Sequence, residues 1–224
     1  MLVLPALFDE ANKLRRLTVE VMRRLDRAGI DGVLPDLPGC NDSLQPLAAQ
    51  TLAHWRHAAQ AAAAHFGATH VLTLRGGALS SPPALPGWNY APLAGRQVLR
   101  AMLRARTIAA REAGREETTE GLQQLARAEG IELAGWQLGA AMFAQLEEAP
   151  PPADSAQAAI DQASVGGSGL WLRAERAALA GEGERQAAHA AVRPVATMAA
   201  SASACLASSS GSARSHRPLP PTLA

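Results

Sequence analysis

The sequence predicts an α/β protein: a parallel sheet flanked by helices, followed by a disordered C-terminal tail. Three observations carry this expectation. Short apolar runs alternate with stretches that are apolar at helical spacing through residues 1–149. The turns between them are short and rich in Pro, Gly and Asp, as in strand–helix–strand units with right-handed crossovers. From Pro150 onward, Ala, Ser, Gly and Arg dominate and large apolar residues are scarce.

Leu2-Val3-Leu4 reads as a buried parallel strand. Asp9 and Glu10 open a helix, because negative charge favours the positive end of its dipole. Leu14, Leu17, Val21, Leu25 and Ala28 share one face of it, and Gly29 stops it. Ile30 to Leu34 reads as a second strand, entering the turn-rich segment Asp36-Leu37-Pro38-Gly39-Cys40-Asn41-Asp42-Ser43. Asp42 or Ser43 caps a helix that turns Leu47, Leu52, Trp55, Ala59, Ala62 and Phe66 inward. Thr69 to Leu74 is a third strand, ended by a tight turn at Gly76 and Gly77. Residues 94–112 are amphipathic, with Val98, Leu99, Met102, Leu103 and Ile108 on the apolar side. Glu112 to Glu120 is a charged, solvated stretch. Ile131 to Leu138 is a fourth strand or extended segment, and Gly139 to Glu148 a short helix. The three prolines 150–152 read as a linker, and Ala202 to Ala224 has no periodicity that would offset its ordering entropy.

The 224 residues suffice for one domain with a sizeable core. A net charge of +1 gives no global field toward nucleic acid. Lys13 is the only lysine, so the Arg and Ala excess looks like coding bias. Cys40 and Cys205 lie too far apart in character to suggest a disulfide framework, which points to a reducing, cytoplasmic compartment. The apolar start meets Asp9 and Glu10 too soon for a signal peptide, and no run is long enough for a membrane span. No cofactor is implied; the expected partner is an unidentified small molecule or protein.

Asp36 to Ser43 follows a strand and precedes a helix, where α/β-hydrolases carry Asp-x-x-Gly-x-Gly-x-Ser; Asn41 replaces the second Gly, as a left-handed turn position tolerates. An ordinary turn with a helix cap explains the segment equally well. Thr73-Leu74-Arg75-Gly76-Gly77 lies where a nucleophile elbow, Gly-x-Ser-x-Gly, would sit. Arg75 then occupies the nucleophile's position, and a guanidinium that stays protonated cannot attack a carbonyl. Ser80 and Ser81 come too late for the turn.

These stretches resemble the α/β-hydrolase-fold family called exosortase A system-associated hydrolase 2, found in bacterial exopolysaccharide loci. Pro5-Ala6-Leu7-Phe8-Asp9-Glu10-Ala11-Asn12-Lys13-Leu14-Arg15-Arg16 is similar to its Pro-Phe-Ala-Glu-Glu-Met-Asn-Lys-Ser-Arg-Arg signature. Asp36 to Ser43 and Leu74 to Leu79 are similar to its Asp-Leu-x-Gly-Cys-Gly-Asp-Ser and Leu-Arg-x-Gly-Ala-Leu. Trp88 to Arg106 and Ala134 to Leu138 are weaker echoes, and the likeness ends near Glu148. The resemblance implies a partial α/β-hydrolase domain over 1–149, a low-complexity tail over 150–224, and hydrolase ancestry in exopolysaccharide or protein-sorting biology. It also implies leading strands, a triad acid and a triad His for which this chain shows no counterpart. His189 and His216 fall in the tail.

No catalytic set is therefore intact. The expected pocket gathers Arg75, Gly76, Gly77, Asn12, Arg15 and Asp36 at the carboxyl ends of the strands, as a site for a carboxylate or phosphate. The plainer alternative pairs Arg75 with Asp36. His54 and His57 share a helix without a third ligand, so a solvated face is expected there and no metal. The stripe Arg96, Arg100, Arg104 and Arg111 is read as a solvated face paired with nearby glutamates, with a nucleic-acid or anionic-membrane surface as its rival. Cys40 has no His at a motif spacing and reads as a small turn residue. Three functions stay open: ester or thioester hydrolysis by a divergent site, a non-catalytic binding protein, or a truncated or frame-shifted product whose tail has left the ancestral frame.

Overall fold

A computed structural model describes residues 1–153 and 155–162. Its core is a sheet of four strands, β1 (Leu2–Leu4), β2 (Val71–Leu74), β3 (Gly87–Tyr90) and β4 (Gln157–Ile160), in that order and all parallel. The flanking helices are α1 (Asp9–Arg27), α2 (Leu52–His65), α3 (Gly95–Glu112), α4 (Thr119–Glu129) and α5 (Ala140–Glu148). The predicted α/β class is what the chain adopts.

Alternation along the strands sorts the core into layers. Val3, Leu72 and Leu74 face α1, packing on Leu14, Leu17, Val21 and Leu25. Leu2, Leu4 and Val71 face the other way, onto Ala59 and Ala63 of α2. β1 and β2 are buried on both faces, which is why they read as apolar runs broken only by Thr73, whose hydroxyl donates to Asn89. A larger cluster joins Leu7, Phe8 and Leu79, which follow strand ends, to α2, α3, α4 and α5. Trp55, fully buried, donates its indole N–H to Pro38 O at 2.8 Å, and its ring lies 5.4 Å from that of Phe8, tilted by 40°.

Several boundaries differ from the sequence reading. Ile30 to Leu34 is not a strand: only Val33 pairs, as a single parallel bridge beside Leu2. Gly32 and the exposed Asp31 and Leu34 leave nothing to bury on both faces. The helix expected after Ser43 begins later, at Leu52, capped by Thr51, whose hydroxyl accepts from His54 N at 3.1 Å. Ser43 instead closes its own turn, accepting from Gly39 N at 3.0 Å. Phe66 and Ile108 are 55% and 50% exposed, so neither belongs to the core. Ile131 to Leu138 is a separate antiparallel hairpin, β5 (Ile131–Leu133) and β6 (Trp136–Leu138), outside the main sheet. Its turn residues Ala134 and Gly135 both have positive φ, as a two-residue hairpin turn demands. α4 and β3 were not foreseen.

The proposed boundary at residue 150 also moves. Gln157–Ile160 lies beyond the three prolines yet forms the fourth strand, against β3. Its Gln157 Nε2 donates to Pro82 O at 2.9 Å and to Leu85 O, fastening the loop before β3. The expectations for the rest of the tail, including Cys205, His189, His216 and the shifted frame, lie outside the described residues. Among the described residues, no helix is long and apolar enough to cross a membrane.

Candidate functional site

Chain order and spatial order disagree at one place. From β1 the chain passes outward through α1 to Val33, then returns through α2 to β2 on the opposite side of β1. From β2 it continues through β3 to β4 in the new direction. The reversal opens a crevice at the carboxyl ends of β1 and β2, where open parallel sheets bind ligands.

A cleft of about 340 Å³ lies at that place. The first two turns of α1 supply Asp9, Glu10, Lys13 and Leu14; Arg75 enters from the end of β2; Gln97, Val98, Ala101, Met102 and Ala105 of α3 form the facing wall. The wall is largely apolar, and the charges sit together on the α1 side. There they are paired: Lys13 Nζ lies 2.6 Å from Asp9 Oδ2, and Arg75 Nε donates to Glu10 Oε1 at 2.8 Å. Arg75 Nη1 also reaches Ala91 O, at 3.5 Å.

The backbone at the strand ends is strained. Phe8 follows β1 with φ 55°, Arg75 follows β2 with φ 55°, and Ala91 follows β3 with φ 44°. A side chain in this left-handed region costs on the order of 1–2 kcal/mol, so each turn is held by its surroundings. The three residues share a positive φ, and Phe8, with ψ −133°, lies off the left-handed helical values. At Arg75 the chain leaves β2 directly into a 3-10 turn, residues 75–80, and not into the α-helix that follows a nucleophile elbow. Gly77 has no room for a side chain: a Cβ would run into the carbonyl oxygens of Pro5 and Leu4. At Gly76 a Cβ would press on Leu7 Cγ and Val98 Cγ2, each at 3.2 Å.

The predicted residues therefore divide. Arg75 lines the cleft; Gly76 and Gly77 follow it, packed against Leu7, Val98 and the carbonyls of Leu4 and Pro5, and are not part of the lining. Asn12, Arg15 and Asp36 are exposed and line no part of the cleft. Asn12 and Arg15 point away because α1 turns residues 9, 10, 13 and 14 toward the cleft, and helical spacing puts 12 and 15 opposite. Asp36 accepts from Asn41 Nδ2 at 2.6 Å within its own loop, so the predicted Arg75–Asp36 pair does not form; Glu10 is the partner. Glu10 was missed as a site residue because its place in the first helical turn already explained it. The α3 wall was missed because nothing in the sequence connects residue 75 to residue 102.

No Ser, Thr, Cys or His lines the cleft. Ser80 is buried with its hydroxyl on Gly77 O at 3.0 Å. Cys40 is a free thiol beside a much smaller hollow of about 30 Å³ between Phe8, Trp55 and Trp136. Burial, with the Asp36 carboxylate nearby, pushes that thiol up to about 11, so it stays protonated near neutral pH and is a poor nucleophile. His54 and His57 are exposed on α2. Among the described residues no three His, Cys, Asp or Glu side chains converge on a metal-sized site. Comparison with protein-family models, with curated proteins and with solved structures gives no significant match.

Proposed function

We propose that this chain is a non-catalytic binding protein on an α/β-hydrolase-like scaffold, and that it takes a small amphiphilic molecule in the crevice between β1 and β2. One observation carries the reading. At the carboxyl ends of β1 and β2 a cleft sets the apolar wall of α3 against the paired charges of Asp9, Glu10, Lys13 and Arg75, and Arg75 enters it from a backbone held at φ 55°. The apolar α3 wall would receive the ligand's hydrocarbon part. The paired charges on α1 and Arg75 would face its polar end. A free anion is the weaker candidate, because Glu10 already holds the Arg75 guanidinium.

The resemblance to exosortase A system-associated hydrolase 2 belongs to the same proposal, with a role in exopolysaccharide or protein-sorting biology and a cytoplasmic location. Its most specific stretch, Pro5 to Arg16, follows β1, and Leu74 to Leu79 begins at the end of β2; Leu7, Asp9, Glu10, Lys13, Leu14 and Arg75 of these line the cleft. What the lining lacks is a Ser, Thr or Cys nucleophile and a His to activate it, and its carboxylates Asp9 and Glu10 are held in ion pairs with Lys13 and Arg75.

Two measurements test the reading. A fluorophosphonate probe and activated esters should give no serine labelling and no turnover; stoichiometric labelling with turnover overturns it. Medium-chain carboxylates, alcohols and amides should raise the melting temperature, and Ala101→Trp, which fills the cleft, should abolish the rise. A ligand saturating at about a hundred times its Kd adds roughly 2.7 kcal/mol. No rise with any ligand, or an equal rise in the filled variant, rejects the cleft.

A further inference from the structure

The outer face of α3 carries charge that the fold does not use. The helix holds five arginines and one acid, Glu112, at its last position. Arg106 is held by Glu117 on the following loop, at 2.8 Å. The other four, Arg96, Arg100, Arg104 and Arg111, are exposed. Among the described residues no ion pair or hydrogen bond reaches any of their guanidiniums. At 3.6 residues per turn they fall within a sector of about 80°, and the stripe runs about 22 Å along the helix.

Arg96 with Arg100, and Arg100 with Arg104, are like-charge neighbours at i, i+4. Such pairs weaken a helix, and no acid within a turn of them relieves the repulsion. Beside the stripe stands Ile108, 50% exposed. Guanidiniums in a straight row with an aliphatic side chain at their border match the interface of a charged bilayer. There the cations meet headgroup phosphates while the apolar group enters the acyl boundary. A nucleic acid backbone would meet the charge but leave Ile108 without a partner.

We infer that α3 docks the protein on an anionic lipid bilayer through Arg96, Arg100, Arg104 and Arg111. Gln97, Ala101 and Ala105 of the same helix line the cleft, so docking brings the cleft to the membrane surface. The docking surface itself does not depend on what the cleft binds.

The full-length protein is mixed with vesicles of phosphatidylcholine alone, or with roughly a third phosphatidylglycerol, and sedimented. It should pellet with the anionic vesicles, stay free of the neutral ones, and be released by salt. Each basic residue near a charged surface strengthens binding about fivefold, so Arg100→Gln with Arg104→Gln should weaken partitioning about 25-fold. The double variant should melt like the parent; if it does not, Arg104→Gln alone, with a fivefold loss, serves instead. Arg23→Gln with Arg27→Gln on α1 should leave binding unchanged. Equal binding to neutral vesicles, no loss in the α3 variants, an equal loss in the α1 variant, or tighter binding to duplex DNA than to anionic vesicles overturns the inference.

Discussion

Arg75 joins two opposed effects in one residue. Its backbone sits at φ 55°, where any side chain is strained, while its guanidinium ties the end of β2 to the start of α1 through Glu10. The pair is partly exposed, at 25% and 29% of the side chains, so its worth lies between a surface pair and a buried one, roughly 1–2 kcal/mol. Arg75→Ala should therefore lower stability by about that amount, since the pair is lost and the strain kept. Arg75→Gly loses the same pair but relaxes the backbone, and should be about 1 kcal/mol more stable than the Ala variant. Urea unfolding of the two variants measures the difference. If Ala equals or exceeds Gly, the left-handed conformation at the strand end is not a source of strain.

Among the elements, β4 shows how a polar residue can place a weak strand. Gln157-Ala158-Ala159-Ile160 has little apolar surface to recommend it. Gln157 is buried and its amide N–H groups hold the carbonyls of Pro82 and Leu85, so the strand is fixed by that side chain as well as by its ladder to β3. Gln157→Ala would leave buried carbonyls without donors, at a cost of roughly 1–3 kcal/mol. A shift in the urea midpoint smaller than a few tenths of a kcal/mol would show the ladder alone suffices. This also explains what was legible in the sequence. β1, α1, β2 and α3 announce themselves through uniform apolar runs or a clear 3.6-residue period. β3 and β4 do not, because they bury the polar Asn89 and Gln157 against tertiary partners: Asn89 Oδ1 accepts from Thr73 Oγ1 at 2.7 Å, and Gln157 Nε2 donates to the loop before β3. Ile30 to Leu34 misled in the other direction, being apolar enough for a strand but pairing only at Val33. Arg75 was legible as a cleft residue because the turn that ends β2 is a local signal, while Gly76 and Gly77 pack behind it. Asn12, Arg15 and Asp36 were misplaced because strand-end position says nothing about which side of a helix faces a cleft.

At the scale of the whole molecule the sheet has a direction, and its two ends do different work. The carboxyl ends of β1, β2 and β3 carry the strained turns and the cleft. The opposite end carries His70, immediately before β2, and the chain's N-terminus. His70 is 6% exposed, its ring lies over Trp88 at 6.1 Å, and its carbonyl accepts from Leu2 N at 2.8 Å, closing the β1–β2 seam. Burial lowers the pKa of this imidazole, and the N-terminal ammonium lowers it further. The sign of the consequence follows from linkage. The unfolded imidazole titrates near 6.5 and the folded one below it, so between the two values the unfolded state binds more protons. Stability from this group is complete above about pH 6.5 and is lost as pH falls through the folded value. His70→Gln, which cannot titrate there, should remove that part of the acid sensitivity: its urea midpoint should change less between about pH 7 and pH 5 than the parent's does. Because His70 is at the end of the sheet remote from the crevice, ligand affinity at a fixed pH within the folded range should be the same in both proteins. An equal pH dependence in the two chains would show that His70 is not the group responsible. An altered affinity would show that the two ends of the sheet are coupled.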